Sequence, residues 1–247
     1  MPELWEYKYR IKKFYKFDRE EIISLFISVA VLAFIWAYND HREVFNFAYW
    51  FANYIQAFAM FAIALFVHVS TQKMYGIYHG YSVEYKYWMT GLILGVIVTL
   101  LTNGYFPLLL PGGMVLMHLS RLRIGYFRFG LNTWQASQTA ASGPYANVIL
   151  VMFLKFVVWQ LMGYESQWLD EFFKLNLILA VYTMLPIPPL PGIIAFFGSK
   201  LLYVYLFSLM LMYILLILIF GYYSLILGAA LGGIIYFIYF FTVEGSK

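Results

Sequence analysis

The chain has 247 residues, of which 63% are hydrophobic and 11% charged, and its mean hydropathy is +0.75. Soluble domains carry roughly 25% charged residues, so this composition excludes an ordinary soluble protein and predicts an integral membrane protein with one domain. The chain has no cysteine, which excludes disulfides and thiolate metal sites. Its net charge of +4 is modest, and the distribution of that charge is more informative than its size.

Residues 1–21 are predicted to form a basic cytoplasmic or interfacial segment. No small-residue cleavage site follows the basic residues, so we expect the segment to be retained and not removed as a signal peptide. Apolar and charged residues alternate, which predicts an extended or interfacial segment with one apolar face. We expect it to bind anionic lipid, and a docking surface for ribosomal RNA or another acidic partner is the alternative. The candidate lipid- or partner-binding residues are Lys8, Arg10, Lys12, Lys13 and Lys16.

Seven apolar segments approach the roughly 20 residues that a membrane-spanning helix needs. Residues 105–118 form a further apolar stretch, but two prolines and two glycines interrupt it. We expect it to return through the membrane as the second arm of a hairpin that begins at residue 88. All of these segments belong to one transmembrane domain, 22–241, followed by a short cytoplasmic tail, 242–247. The predicted spans are 22–38, 47–68, 88–104, 145–162, 172–187, 201–219 and 224–241.

The distribution of positive charge supports the hairpin at 88–118. If this segment enters and leaves the membrane on one side, Arg121, Arg123 and Arg128 join the basic N-terminal segment in the cytoplasm. If 88–104 crossed singly, the three arginines would lie outside. We therefore predict an all-α polytopic membrane bundle with about six full spans plus a membrane-embedded hairpin, and with both termini in the cytoplasm. Seven or eight simple spans are the alternative.

The second predicted span carries a polar stripe. At 100° per residue, Asn53, Gln56, His68 and Gln72 fall within an arc of about 160°. Such a stripe must face the interior of the bundle, because lipid cannot satisfy polar groups. Two interpretations remain compatible with the pattern. The amides either hold neighbouring helices together or line a groove that is open to water.

Three motifs follow one another along the chain. Residues 66–80 read F-V-H-V-S-T-Q-K-M-Y-G-I-Y-H-G, residues 141–147 read A-S-G-P-Y-A-N, and residues 184–192 read M-L-P-I-P-P-L-P-G. In order and spacing they resemble the site-2 protease family of intramembrane zinc metalloproteases, in its archaeal and bacterial form. That family has H-E-x-x-H, then G-P-x-x-N, then N-x-x-P-x-P-P-x-D-G. The resemblance covers about residues 45–195.

The chain departs from this family at the residues that perform catalysis. His68 matches the first histidine, whereas Val69 replaces the glutamate, Gln72 the second histidine and Pro191 the aspartate. In active members the two histidines and the aspartate hold zinc, and the glutamate takes a proton from the zinc-bound water. One ligand of the three remains here, and the base is absent. The resemblance therefore predicts a pseudoprotease with no zinc, no other cofactor and no enzymatic activity.

The second and third motifs predict a groove in the same region. Gly143 and Pro144 are expected to open the next span, with Ser142 as its cap. The prolines after Met184 must unwind the helix that contains them. By the resemblance, Asn147 faces the central groove, where the matching asparagine contacts substrate, and Thr183 stands where the family usually has asparagine. The candidate groove residues are Asn53, Gln56, His68, Gln72, Asn147 and Thr183.

The resemblance thus implies a protein that binds, chaperones or guides segments of membrane-protein clients. A polar groove within the bilayer can accept backbone groups that lipid leaves unsatisfied. A translocon, a ribosome or another membrane complex is the expected partner, and we expect no binding to DNA. One alternative is an active intramembrane metalloprotease with an unrecognised site. Another is a channel or transporter, which Lys155 in the middle of span 145–162 would suggest.

Overall fold

The computed structural model describes residues 4–39, 45–119, 131–155, 157, 163, 166–220 and 224–244, and this part of the chain is mostly helical. A two-stranded antiparallel sheet interrupts the helices. A π-helical turn, Phe240–Glu244, follows the last helix. The described helices are α1 Leu4–Phe14, α2 Arg19–Ala37, α3 Phe47–His79, α4 Met89–Leu101, α5 Thr133–Leu154, α6 Gln167–Thr183, α7 Pro191–Gly198, α8 Lys200–Phe220 and α9 Ser224–Tyr239, and the strands are β1 Tyr81–Tyr87 and β2 Gly112–His118.

The basic N-terminal segment forms the helix α1, so the prediction of an extended segment is wrong for residues 4–14. Glu6 and Arg10 form an ion pair one helical turn apart, which a helix brings together and a strand does not. The Tyr7 hydroxyl donates to the Met74 carbonyl at 3.3 Å, and the Tyr7 and Tyr78 rings meet edge-on at 5.6 Å. Helix α1 therefore packs against the C-terminal end of α3. Residues 1–3 lie outside the described part of the chain.

Helix α3 is longer than the predicted span 47–68. The Asn46 side chain caps its first turn by accepting from the backbone amides of Ala48 and Tyr49, at 3.1 and 3.3 Å. Gly80, with φ 85°, ends it in the left-handed conformation that glycine adopts readily. At 1.5 Å per residue, its 33 residues extend about 50 Å, well beyond the ~30 Å hydrocarbon core of a bilayer. His68 and the residues after it thus lie on one continuous helix with the polar residues near its start.

The sheet corrects the prediction of an all-α fold. Strands β1 and β2 pair from Tyr81 opposite His118 to Tyr87 opposite Gly112. Alternate residues of β1 are buried, as expected for an aromatic-rich strand with one face on the core. The second arm of the predicted hairpin is therefore a strand preceded by an irregular stretch, because its prolines and glycines do not continue a helix.

The segment between the strands, which contains α4, nevertheless leaves and returns at the same end of the sheet. The pairing of Tyr87 with Gly112 fixes both ends, and the Trp88 amide donates to the Pro111 carbonyl at 3.1 Å. This geometry agrees with a chain that enters and leaves on one side. The three arginines on which that prediction depended, at 121, 123 and 128, lie outside the described residues.

Helix α5 begins at Thr133, well before the predicted start at residue 145. Pro144 therefore lies inside the helix, and the prediction that Ser142 caps it is wrong. The Ser142 hydroxyl instead donates to the Thr139 carbonyl at 2.8 Å within the same helix. Lys155 directly follows the last residue of α5, and residues 155 and 157 have π-helical geometry. Residues 156 and 158–162 of the predicted span lie outside the described residues, as do the tail residues 245–247.

Two described helices, α2 and α3, are long and apolar enough to cross a membrane by length and composition. Three shorter apolar stretches occur at Met89–Leu101, Lys200–Leu216 and Ala230–Val243. The number of spans thus stays a prediction. Helix α5 lies at the centre of the bundle, in contact with α3, α6, α7 and α8. The helices that contact α5 therefore determine which groups can approach its motif residues.

Candidate functional site

His68 and Gln72 lie one turn apart on α3, and both are buried. This spacing places their side chains on the same helix face. The Gln72 side-chain amide donates to the Ala140 carbonyl of α5 at 3.1 Å. Val69, between them in sequence, is also fully buried and contributes only apolar surface. The first motif therefore forms part of the α3–α5 interface.

Gly143 is a point of close approach between these two helices. A Cβ atom at this position would lie 2.6 Å from both Cδ2 and Nε2 of His68, and 2.8 Å from Cδ of Gln72. Any larger residue would have to push the imidazole or the amide away. The glycine of the second motif thus lets the backbone of α5 close over one edge of the His68 ring.

Asn147 lies one turn after Gly143, and it is the least satisfied polar residue of the site. The residue is fully buried, yet neither Nδ2 nor Oδ1 has a hydrogen-bond partner among the described residues. The Nδ1 atom of His68 is buried and unpartnered in the same way. Buried polar groups in native proteins are normally hydrogen-bonded, so the Asn147 amide is suited to pairing with a polar ligand.

The third motif connects α6 to α7. Helix α6 ends at Thr183, an irregular stretch follows, and α7 begins at Pro191, where a proline fits the first helical turn. The Tyr203 hydroxyl donates to the Met184 carbonyl at 3.0 Å. The Ser137 hydroxyl donates to the Ala195 carbonyl at 2.8 Å. These two bonds attach the proline-rich stretch and α7 to α8 and α5.

Thr183 is buried, but its hydroxyl bonds within its own helix. It donates to the Leu179 carbonyl at 2.8 Å and approaches that of Ala180 at 3.2 Å. Its hydrogen-bonding capacity is therefore directed to α6, whereas that of Asn147 is not used by any described residue.

The described residues do not fit the zinc site of a metalloprotease. They contain no group of three or more histidine, cysteine, aspartate or glutamate side chains that could hold a metal ion. A catalytic zinc takes three protein ligands of these types, and His68 has Gln72 and Gly143 beside it instead. The described residues therefore provide no ligand set for a metal-dependent step.

The predicted polar stripe of α3 is divided between two places. Asn53 and Gln56 line a cavity at the start of α3, whereas Gln72 lies about 28 Å further along the helix axis than Asn53. The Gln56 side chain donates to the Glu171 carboxylate at 3.3 Å. Helical periodicity correctly placed these residues on one face, but they do not share one groove.

The candidate basic residues of the N-terminal segment lie on α1 or directly after it. Lys8, Lys12 and Lys13 are exposed, as is Lys16 in the linker after α1, whereas Arg10 is half-buried in its ion pair with Glu6. Four positive charges therefore remain available on the surface at the end of the bundle where α3 finishes.

Sequence reasoning missed a buried ion pair close to the first motif. The Lys73 ammonium lies 2.7 Å from the Glu21 carboxylate of α2, and both side chains are less than a tenth exposed. Glu21 also accepts from the Tyr85 amide of β1 at 3.0 Å, and Lys73 donates to the Lys16 carbonyl at 2.7 Å. The sequence signal for this pair was Glu21 at the start of the apolar helix α2 and Lys73 after the apolar part of α3.

Comparison with known proteins finds a relative that aligns with most of the chain. The chain is 30% identical, over 181 residues, to a protein of Methanocaldococcus jannaschii named "Putative zinc metalloprotease MJ0611"; the alignment covers 72% of this chain and 84% of the relative. No family model and no solved structure matches the chain. The relative contradicts the prediction that the chain is not an enzyme, because its name favours a protease.

Proposed function

Because the chain belongs to the metalloprotease-like family of this Methanocaldococcus jannaschii protein, we propose that it is a membrane-embedded protein of the site-2 protease type that binds a segment of another membrane protein beside α5. The observation that carries the proposal is the fully buried amide of Asn147, whose two polar atoms have no partner among the described residues.

An asparagine side chain matches the chemistry of a peptide backbone. Its amide carries donors and an acceptor, and an unwound segment in a membrane presents backbone N–H and C=O groups that lipid cannot satisfy. Each buried polar group without a partner costs about 1–3 kcal/mol. Pairing Asn147 with an unwound backbone would remove this cost on both sides, which favours segments that unwind over regular helices.

The site is closed in this structure, since Asn147 is fully buried. A segment can reach it only if a helix that packs on α5 moves. Helices α3, α6, α7 and α8 contact α5, so movement of one of these four would open the site.

The surface of the bundle supports insertion in a membrane. Helix α4 has Ile93, Leu94, Ile97 and Leu100 about half exposed and Leu101 79% exposed, and such a face is stable in lipid but not in water. We propose six spans plus a returning segment that contains α4 and β2, with both termini in the cytoplasm.

Helix α1 has the composition of a helix that lies in the membrane interface. Leu4 and Trp5 are more than three-quarters exposed, and lysines are exposed beside them. We propose that α1 rests on anionic lipid, with each lysine near the surface contributing about 1 kcal/mol.

The contribution of these lysines to lipid binding can be measured as the stabilisation of the protein by anionic lipid. We expect phosphatidylglycerol to raise the melting temperature of the detergent-solubilised protein, and replacement of Lys8, Lys12 and Lys13 by glutamine to remove most of that rise. Lys86→Gln, an exposed lysine on β1, is the matched control and should leave it unchanged. An equal rise in the triple variant would contradict the proposal.

The proposal as a whole is tested with two synthetic membrane-spanning peptides of about 20 apolar residues. One has a central Asn-Pro-Gly sequence that unwinds, and the other is a continuous helix. We expect the reconstituted protein to bind the first at least about tenfold more tightly, which corresponds to about 1.4 kcal/mol. Equal affinity for both peptides would contradict recognition of unwound backbone.

Guidance of membrane-protein segments and proteolysis are the two outcomes that follow such binding. Guidance would place the protein beside a translocon, a ribosome or another membrane complex. Proteolysis is favoured by the name of the relative. Mass spectrometry of the bound peptide distinguishes them, because proteolysis gives two fragments and guidance gives the intact peptide. Loss of the fragments on chelation would identify a metal-dependent reaction.

A further inference from the structure

A separate cavity of about 600 Å³ lies near the start of α3. The end of α2, the turn after α4 and the start of α6 form its other walls. Gln56, on its wall, is about 18 Å along α3 from His68, so the cavity is distinct from the site beside α5. Its volume is within the range of sites for small ligands, roughly 300–1,000 Å³.

Glu171 is the acidic residue that lines this cavity. One carboxylate oxygen accepts from the Gln56 side chain and the other from the Gln167 side chain, each at 3.3 Å. No ion pair to Glu171 occurs among the described residues. Since a carboxylate has about four acceptor positions, two neutral amides hold it in place and leave capacity for a cationic donor.

Aromatic rings surround the same space. The cavity is lined by Trp36, Tyr49, Tyr105 and Trp168. Trp168 is held by a parallel stack on Phe172, with ring centroids 5.5 Å apart. The faces of such rings attract ammonium groups, and several rings around one site are the usual way in which proteins bind quaternary ammonium ligands.

Lys174 also lines the cavity, and its charge must be accounted for. It is exposed, so its flexible side chain can carry the ammonium into water while its methylene groups cover the rim. It lies one turn after Glu171 but forms no ion pair with it in the described part of the chain. Lys174 would therefore weaken the binding of a cation without occupying its place.

We propose that this cavity binds an organic ammonium group, with Glu171 as the counter-ion and the four rings as its walls. A free amine and the headgroup of an ethanolamine or choline lipid share this chemistry. The ligand would enter from the end of the bundle at which α3 and α6 begin.

The proposal is tested by calorimetric titration of the full-length protein in a nonionic detergent with choline and with ethanolamine, using sulfate as the anionic probe. We expect saturable binding of an ammonium probe that Glu171→Gln weakens at least about tenfold and Lys174→Gln strengthens about two- to fivefold. Trp168→Ala should also weaken binding of the ammonium probe, although this substitution changes neither the Glu171 nor the Lys174 charge. Peptide binding beside α5 should be unchanged in all three variants.

Nanodiscs distinguish the two sources of the ammonium group. If the lipid supplies it, ethanolamine should titrate the protein in phosphatidylglycerol nanodiscs but not in phosphatidylethanolamine nanodiscs. If a free amine supplies it, ethanolamine should titrate the protein in both. Absence of saturable binding, binding that Glu171→Gln leaves unchanged, or sulfate binding that Lys174→Gln removes would overturn the proposal.

Discussion

Asn147 combines complete burial with an amide that no described residue uses. If this amide serves a ligand, its removal should spare the fold. We expect Asn147→Ala to change the free energy of unfolding by less than about 1 kcal/mol, since the lost packing is offset by the removal of two unpaired polar atoms. The variant should lose the preference for the unwound peptide.

Thr183→Val is the matched control for Asn147→Ala. Thr183 is equally buried, but its hydroxyl bonds within α6, so the variant should bind the unwound peptide like the wild type. Unfolding in detergent measures the stability of both variants. A loss of more than about 2 kcal/mol in Asn147→Ala, with peptide binding intact, would identify Asn147 as structural.

Gly143 sets the distance between α3 and α5. We expect Gly143→Ala to reduce stability by about 1–3 kcal/mol, because the added methyl overlaps the His68 ring and the Gln72 amide. His68→Ala in the same chain should recover part of this loss, since the methyl would then have space. A double-mutant cycle measures this coupling.

The control for this prediction is another helical glycine with open space around it. A Cβ atom at Gly233 of α9 would meet no atom within 4 Å, so Gly233→Ala should be neutral or should stabilise by up to about 1 kcal/mol. Equal effects of Gly143→Ala and Gly233→Ala on stability would contradict the close approach of α3 and α5 at Gly143.

At the scale of single residues, the sequence did not predict the hydrogen-bond partners of the candidate site residues. Helical periodicity placed Asn53, Gln56, His68 and Gln72 on one face of α3, but periodicity reports the angle around the helix and not the height along it. The height decides that Gln56 bonds to Glu171 while Gln72 bonds to Ala140. Those partners lie on α5 and α6, whose register against α3 is not visible in one sequence.

At the scale of secondary-structure elements, the ion pair between Glu21 and Lys73 connects α2 to α3. Glu21 also connects α2 to β1, because it accepts from the Tyr85 amide. Breaking a buried pair leaves one charge without compensation and costs about 3–5 kcal/mol. We expect Lys73→Met to destabilise by this amount, and Glu21→Gln in addition to recover most of the loss, because the glutamine oxygen can still accept from the Tyr85 amide. Urea or thermal unfolding of the three proteins in detergent is the measurement.

Additive losses in the double variant would contradict an ion pair. The comparison is the ion pair of Glu6 and Arg10 on α1, in which the Glu6 side chain is 41% exposed and the Arg10 side chain 17%. Because the Glu6 carboxylate remains in contact with water when its partner is removed, Arg10→Met should have a smaller effect than Lys73→Met.

The long apolar helices were predictable from composition, whereas the elements between them were not. Residues 81–85 alternate between buried and partly exposed positions. The seven residues of β1 do not reveal their pairing partner, however, because that partner follows α4 in the chain. In α1, the alternation has a period of two, which is typical of a strand, yet the segment forms a helix in which Glu6 and Arg10 pair across one turn. Tertiary contacts decide such short segments.

For the molecule as a whole, the two proposed binding places are connected by α3. One is the interface with α5, at His68 and Asn147, and the other is the cavity around Glu171. The apolar surface between them is suited to lipid. This separation allows one place to receive a protein segment while the other binds a small cation.

The absence of cysteine from the chain makes a direct test of segment entry possible. Val151 lies one turn after Asn147 and is fully buried, whereas Ile149 is 57% exposed on the same helix. A cysteine at position 151 should form a disulfide with a cysteine at the centre of the unwound peptide, in membranes and under mild oxidation. The Val151→Cys bond should disappear when Asn147→Ala is added, and the Ile149→Cys control should react weakly with both the unwound and the continuous peptide. Equal reaction at positions 149 and 151, or reaction at 151 that Asn147→Ala leaves unchanged, would contradict the binding of a membrane-protein segment beside α5.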